Sequence, residues 1–275
     1  AMKECIGGVI LYDETIRQIS SFGKSIPDLI SSSGAVAGIK VDTGAKDLAN
    51  SSGEKITEGL DGLRERLKKY YELGARFTKW RGVYIINKKF PSKLSIHSNA
   101  HALARYSALV QENGMVPIVE PEVLMDGDHD ADLCLIKTSE VIKKCFEELA
   151  INKVDLSGII LKPNMILAGN QSKNKISNEE VSQKTIECLK KSVPSEVPGI
   201  AFLSGGQSDI EATKNLNLIN KNNNTKFIMT YSYGRALQQS ALKIWSKNTK
   251  DIKETQNNFN HRAKMCTLAA QGKWS

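Results

Sequence analysis

No stretch of this chain reaches the ~18 consecutive apolar residues that a membrane-spanning helix needs, so insertion into a membrane is not expected. Cysteine is sparse as well. Cys5, Cys134, Cys145, Cys188 and Cys266 stand alone, odd in number and without close pairs. A disulfide framework or a zinc knuckle needs paired spacing, so neither is expected, and a reducing compartment is the simple reading. A dense basic run interleaved with aromatics is also missing. The formal charge of +8 is spread out, with acids beside bases as in Arg64-Glu65-Arg66. That pattern does not point to nucleic acid; a phosphorylated small molecule explains the lysines at least as well. What remains is ordinary soluble composition, 40% hydrophobic and 25% charged. The start of the chain carries no pattern of a secretory leader.

Short apolar runs recur along the 275 residues: Ile6–Leu11, Val36–Val41, Phe77–Val83, Met115–Val119, Leu156–Lys162, Ile200–Ser204 and Phe227–Tyr233. Their starts lie about 27 to 44 residues apart, which leaves room for a crossover helix each time. The intervening segments carry helix signals. Leu103, Tyr106 and Val110 fall at spacings of three and four, before an Asn113-Gly114 stop. Ser177 and Glu180, and Ser208 and Glu211, have the spacing of capping boxes. Lys221–Thr225 reads as a connector, and the stretch from Lys247 onward as a long helix with a tail ending at Gly272-Lys273-Trp274-Ser275. Alternating strand and helix predicts a parallel sheet.

The polar residues choose between an open doubly wound sheet and a barrel. Residues two apart on a strand share a face. Lys40 and Asp42, Lys79 and Arg81, and Glu120 and Glu122 are such pairs. Lys162, Ser204-Gly205-Gly206 and Ser232-Tyr233-Gly234-Arg235 end the last three runs. Reactive groups at six successive strand ends fit a (β/α)8 TIM barrel, which uses many C-terminal strand ends. An open sheet uses one switch point. The expected architecture is thus a single barrel domain over 1–275 in which one strand–helix unit is missing.

Lys162 closes an apolar run, where a charged amine is costly unless paired or deprotonated. A lysine pushed towards neutrality is a nucleophile for carbonyl compounds. Ser204 lacks the preceding glycine of a nucleophile elbow, so a hydrolase serine is not expected. The amides of Gly205-Gly206 and Gly234-Arg235 suit an anion instead, as in the loops after strands seven and eight of barrels. Asp126-Gly127-Asp128-His129-Asp130 looks metal-like but reads better as an acidic loop or a structural hydrogen-bond cluster. His97 and His101 lie at i, i+4 without the Glu that a zincin requires, and read as an exposed helix pair. No metal is expected.

The motifs Cys5–Leu11, Gly38–Asp42, Gly59–Leu63, Lys79-Trp80-Arg81, Pro117–Glu122, Asp126–Asp130, Leu161–Asn164, Phe202–Gln207 and Ser232–Leu237 together resemble class I fructose-bisphosphate aldolase, over nearly the whole chain. The resemblance implies a barrel lyase that cleaves fructose 1,6-bisphosphate into dihydroxyacetone phosphate and glyceraldehyde 3-phosphate. It implies a Schiff base on Lys162, acid–base work by Glu120 and Glu122, and Lys79 at the catalytic centre. It places Ser204, Gly205, Gly234 and Arg235 on one phosphate, with Lys40 and Arg81 towards the other. Asp42, Gly206, Ser232 and Tyr233 belong to the same strand-end sets and join the substrate-binding candidates. Lys79 would be the like charge that lowers the pKa of Lys162, and Glu120 would shuttle protons. No metal or other cofactor is implied. The resemblance further implies a cytosolic homotetramer, and a first strand–helix unit and a C-terminal tail that lie outside these residues. The alternatives are another Schiff-base barrel lyase, such as a transaldolase-like enzyme, and a scaffold that binds actin or the acidic tails of adhesins.

Overall fold

The computed structural model describes residues 1–275. The strands in chain order are β1 (Gly8–Leu11), β2 (Val36–Lys40), β3 (Gly44–Asp47), β4 (Lys55–Glu58), β5 (Phe77–Tyr84), β6 (Val116–Val123), β7 (Ile160–Leu161), β8 (Gly199–Phe202) and β9 (Ile228–Tyr231). The helices are α1 (Asp13–Ile16), α2 (Ile26–Ser32), α3 (Leu63–Glu72), α4 (Lys93–Glu112), α5 (Ala131–Ile151), α6 (Asn178–Ser192), α7 (Asp209–Lys221), α8 (Arg235–Lys247) and α9 (Ile252–Ala270). Seven strands form one parallel sheet in the order β1-β2-β5-β6-β7-β8-β9, while β3 and β4 make a separate antiparallel hairpin. The sheet follows chain order without reversal, so it has no switch point of the doubly wound kind. It also curls: the Tyr231 hydroxyl on β9 donates to the carbonyl of Cys5, just ahead of β1, at 2.8 Å.

All seven predicted runs become strands of this sheet, and local chemistry explains the ends. Leu103, Tyr106 and Val110 are buried on α4. Both capping boxes form, at Ser177/Glu180 and Ser208/Glu211. Gly114, with φ 69°, follows the last turn of α4 as its sequence indicates. Gly38 is a glycine because the Phe77 ring lies where a Cβ would go, 2.3 Å from that position. Helices α3 to α9 form a belt in which each packs on its neighbour. The apolar faces of belt and sheet close over Trp80, Tyr84, Tyr106 and Phe202. Inside, the Thr78 and Tyr106 hydroxyls lie 2.7 Å apart, and Tyr106 reaches the Ile118 carbonyl at 3.2 Å.

Three features differ from the sequence reading. The fifth run does not form a strand over 156–162. Leu156–Gly158 is a 3-10 turn, because the Asp155 carboxylate accepts from the Ser157 amide at 2.9 Å and hydroxyl at 2.7 Å. Lys162 still continues the ladder, its amide donating to Val119 O at 2.8 Å. The β3–β4 hairpin carries mostly exposed or half-exposed polar residues, so its sequence has no apolar alternation to announce it. The long helix expected from Lys247 onward forms, but it starts only at Ile252, after Asn248–Asp251, where the Asp251 side chain caps α9.

Candidate active site

Strands β2, β5, β6 and β7, with the residues directly after β2 and β7, bring five charges into one line. Lys40 Nζ lies 2.6 Å from Asp42 Oδ1. Lys79 Nζ lies 3.6 Å from Asp42 Oδ2 and 3.5 Å from Glu120 Oε2. Lys162 Nζ lies 3.2 Å from Glu120 Oε1. The order is therefore Lys40, Asp42, Lys79, Glu120, Lys162, with sign alternating at each step. Beside it Arg81 bonds Glu122. Four cations face three carboxylates, so the cluster reaches neutrality when one amine loses its proton. Lys79, Asp42, Glu120, Glu122 and Lys162 are all buried.

That burial acts directly on the Lys162 amine. Desolvation, aided by the Lys79 cation, holds the Lys162 amine below the ordinary lysine value, although Glu120 opposes the shift. The thiols offer no rival nucleophile. All five are free, and burial raises Cys145 to about 12 and Cys188 to about 11. Asp42 Oδ2 and Glu120 Oε2 are buried and accept no hydrogen bond. Each faces only Lys79, beyond hydrogen-bond length, and so keeps its capacity for a proton or a substrate hydroxyl.

The remaining candidates sit at the ends of β8 and β9. Gly205 and Gly206 have φ of 24° and 72°, and a Cβ on Gly205 would meet Leu203 Cδ1 at 2.7 Å, so the turn excludes larger residues. Gly234 has φ −93° and open space around it, so only its place at the α8 cap sets it apart. The amides of Gly205, Gly206, Gly234 and Arg235 donate to no atom of the chain. Ser204 is nearly buried and Ser232 half-buried beside these loops. The Tyr233 phenol points away, donating to Ala212 O at 2.9 Å within the core, so only its backbone lies at the loop.

His97 and His101 are exposed on α4 as expected, yet both ring Nδ1 atoms face the buried Glu148, at 3.2 and 3.1 Å. The Asp126–Asp130 segment is a structural cluster. Asp130 caps α5, and the amides of Gly169, Asn170 and Gln171 bond the carbonyls of His129, Met125 and Gly127.

Asn164 carries no signal in the sequence beyond its place two residues after Lys162. It is buried, its Oδ1 accepts from the Val123 amide at 3.0 Å, and its Nδ2 donates to Thr138 Oγ1 at 3.2 Å. It thereby ties the segment after Lys162 to the end of β6, which carries Glu120 and Glu122. Asn164→Ala should leave the Val123 amide buried without an acceptor, which costs about 1–3 kcal/mol. Denaturant unfolding should show that loss. A change within about 0.5 kcal/mol, the range of neutral surface substitutions, would remove Asn164 from this role.

The family model for glycolytic class-I fructose-bisphosphate aldolase matches residues 1–275. The chain belongs to this family. A probable class 1 fructose-bisphosphate aldolase of Xanthomonas campestris pv. campestris is 49% identical over 274 residues, 99% of this chain and 82% of that protein. Cytosolic fructose-bisphosphate aldolase 6 of Arabidopsis thaliana is 48% identical over 269 residues, 98% of this chain and 75% of its own. Among solved structures, fructose-bisphosphate aldolase from Plasmodium falciparum, in complex with TRAP and a small molecule inhibitor, superposes with a TM-score of 0.97. It is 42% identical and covers 100% of this chain and 80% of its own. The curled seven-stranded sheet is thus that of the aldolase TIM barrel. The aldolase is a lyase that reversibly cleaves fructose 1,6-bisphosphate into dihydroxyacetone phosphate and glyceraldehyde 3-phosphate. As a class I enzyme it works through a lysine Schiff base and uses no metal.

Proposed function

We propose that Lys162 is the lysine that forms the Schiff base, with Glu120 as its proton shuttle and Lys79 as the charge that tunes it. The contact of Lys162 Nζ with Glu120 Oε1, backed by Lys79 on the other oxygen, carries this reading. A neutral Lys162 attacks the C2 carbonyl of the sugar. Glu120 donates the proton that lets water leave the carbinolamine. The resulting iminium accepts the electron pair released when C3–C4 breaks. Glu122, oriented by Arg81, assists the proton transfers, and Asp42 has an unpaired oxygen to offer a substrate hydroxyl. Ser204, Gly205, Gly206, Ser232, the Tyr233 backbone, Gly234 and Arg235 hold one phosphate. Lys40 and Arg81 face the other. The phosphates supply binding energy remote from the reacting carbons and set the sugar's register.

Borohydride reduction in the presence of fructose 1,6-bisphosphate tests the assignment. The substrate carbon should become attached to Lys162; attachment to Lys79 or Lys40 would overturn it.

Lys79→Met gives a second, directional check. Lys79 lowers the Lys162 pKa, so its removal should raise it. The acid limb of kcat against pH then moves to higher pH, and activity at pH 7 falls more than activity at pH 9. An acid limb that stays in place would show that Lys79 does not tune the amine.

The aldolase is further read as a cytosolic homotetramer, which the solution mass of the full-length protein checks. A second role as a scaffold is favoured by the relative solved with TRAP and by the basic rim that Lys40 and Arg81 give this site. Capture of an acidic peptide that survives Lys162→Ala but is competed by substrate supports it. Capture unaffected by substrate would place the peptide elsewhere.

A further inference from the structure

Arg262 on α9 is a buried cation that the chemistry above does not use. Its guanidinium bridges the first turns of two other helices. Nη2 donates to Asp209 O at 2.9 Å and to Thr213 Oγ1 at 2.8 Å, both on α7. Nη2 and Nε donate to Ala236 O on α8 at 3.3 and 3.4 Å. A weaker contact reaches the thiol of Cys266 at 3.8 Å. The only carboxylate near it is Asp209, with Oδ2 at 3.6 Å from Nε and partly exposed.

This placement is electrostatically uphill. A buried cation held mainly by neutral acceptors keeps much of its desolvation cost. The N-terminal ends of helices carry partial positive charge of their own. Arg262 adds a full positive charge at two of them. The arrangement relaxes when an anion sits over both helix starts. The chain leading into those helices contains the free amides of Gly205-Gly206 and Gly234-Arg235, and Ala236 is the residue directly after Arg235. A guanidinium is suited to the task because its planar fork reaches several acceptors at once, which a lysine ammonium does not do in the same geometry.

We propose that Arg262 is a positioning residue for substrate phosphate. It fixes the spacing between the starts of α7 and α8, so that amides from both loops meet one phosphate, and it adds positive potential behind them. This rests on the phosphate reading of the two loops given above.

The probe is inorganic phosphate, acting as a competitive inhibitor of the full-length enzyme, with Arg235→Ala as the reference for the site itself. Arg262→Met removes charge and bridge. Arg262→Lys keeps the charge. Thr213→Val removes one anchor and no charge. Arg235→Ala and Arg262→Met should each weaken phosphate roughly tenfold, equivalent to about 1.4 kcal/mol. Arg262→Lys and Thr213→Val should fall between Arg262→Met and the wild type. KM for fructose 1,6-bisphosphate should rise in parallel with the loss of phosphate affinity. A purely structural role would lower Tm and the active fraction and leave KM and phosphate inhibition unchanged. If Arg235→Ala weakens phosphate but Arg262→Lys and Thr213→Val bind it like wild type, the positioning role falls and the phosphate site stands. If Arg235→Ala has no effect, the site reading falls and this inference with it. Should Arg262→Met not fold, the Lys and Val variants decide the question.

Discussion

Lys162→Met should reduce cleavage of fructose 1,6-bisphosphate by on the order of 10⁴-fold or more, the scale on which enzymes lose a covalent nucleophile. The substitution keeps a long unbranched side chain in a site that is nearly closed to water, so the fold has no cavity to absorb. Glu120 loses its 3.2 Å partner but keeps Lys79 at 3.5 Å, and its buried charge stays compensated. The cluster then holds three cations and three carboxylates, already balanced. Thermal unfolding should therefore change little while turnover collapses, and borohydride should attach no substrate to the protein. The measurement is turnover on quantified folded enzyme, followed by mass analysis after reduction. Activity within tenfold of wild type, or substrate still attached after reduction, would sink the assignment. At an ordinary lysine pKa near ~10.4, only about one amine in a few thousand is neutral at pH 7. On this assignment the downward shift of Lys162 is part of the rate.

Much of this was legible from residue order. The period of the apolar runs and the recurrence of polar groups at their ends gave seven strands and one face of chemistry, because strand alternation puts i and i+2 on the same side. The sequence could not say which charge touches which. In the sheet register Lys79 lies opposite Ile118, and Arg81 opposite Glu120. The ion pairs are Lys79 with Glu120 and Arg81 with Glu122 instead. Both basic side chains reach two residues ahead of their backbone partners, since their stems are long enough to lean along the strand. Register alone would have paired them wrongly. The supporting residues were hidden for a different reason. Asn164 and Arg262 act through carbonyls, amides and hydroxyls far away in sequence, and no spacing rule marks such partners. The hairpin of β3 and β4 escaped because its polar strands resemble a loop. Yet it braces the site: the Thr57 hydroxyl donates to Arg81 O at 2.7 Å, behind the guanidinium that holds Glu122.

Glu120→Gln separates the two roles proposed above for one carboxylate. As a charge, Glu120 raises the Lys162 pKa, through its negative charge and its hydrogen bond. Replacing it with a neutral amide of the same shape therefore lowers that pKa further and leaves more of the amine neutral at pH 7. If protonation of Lys162 alone limited the reaction, the variant would be faster at neutral pH. As a proton shuttle, however, Glu120 is the group placed 3.2 Å from the nitrogen bonded to the carbon that water must leave. Losing a general acid–base catalyst costs about 10²–10⁴-fold, which outweighs the few-fold gain in neutral amine that a modest pKa drop provides. The expected result is a rate maximum lowered by that factor, together with an acid limb displaced to lower pH. This displacement is opposite in sign to that of Lys79→Met. The rate of substrate attachment under borohydride, followed across pH, reads both quantities in one experiment. An acid limb that moves upward would contradict the charge role. An unchanged maximum would mean that water or Glu122 carries the proton instead.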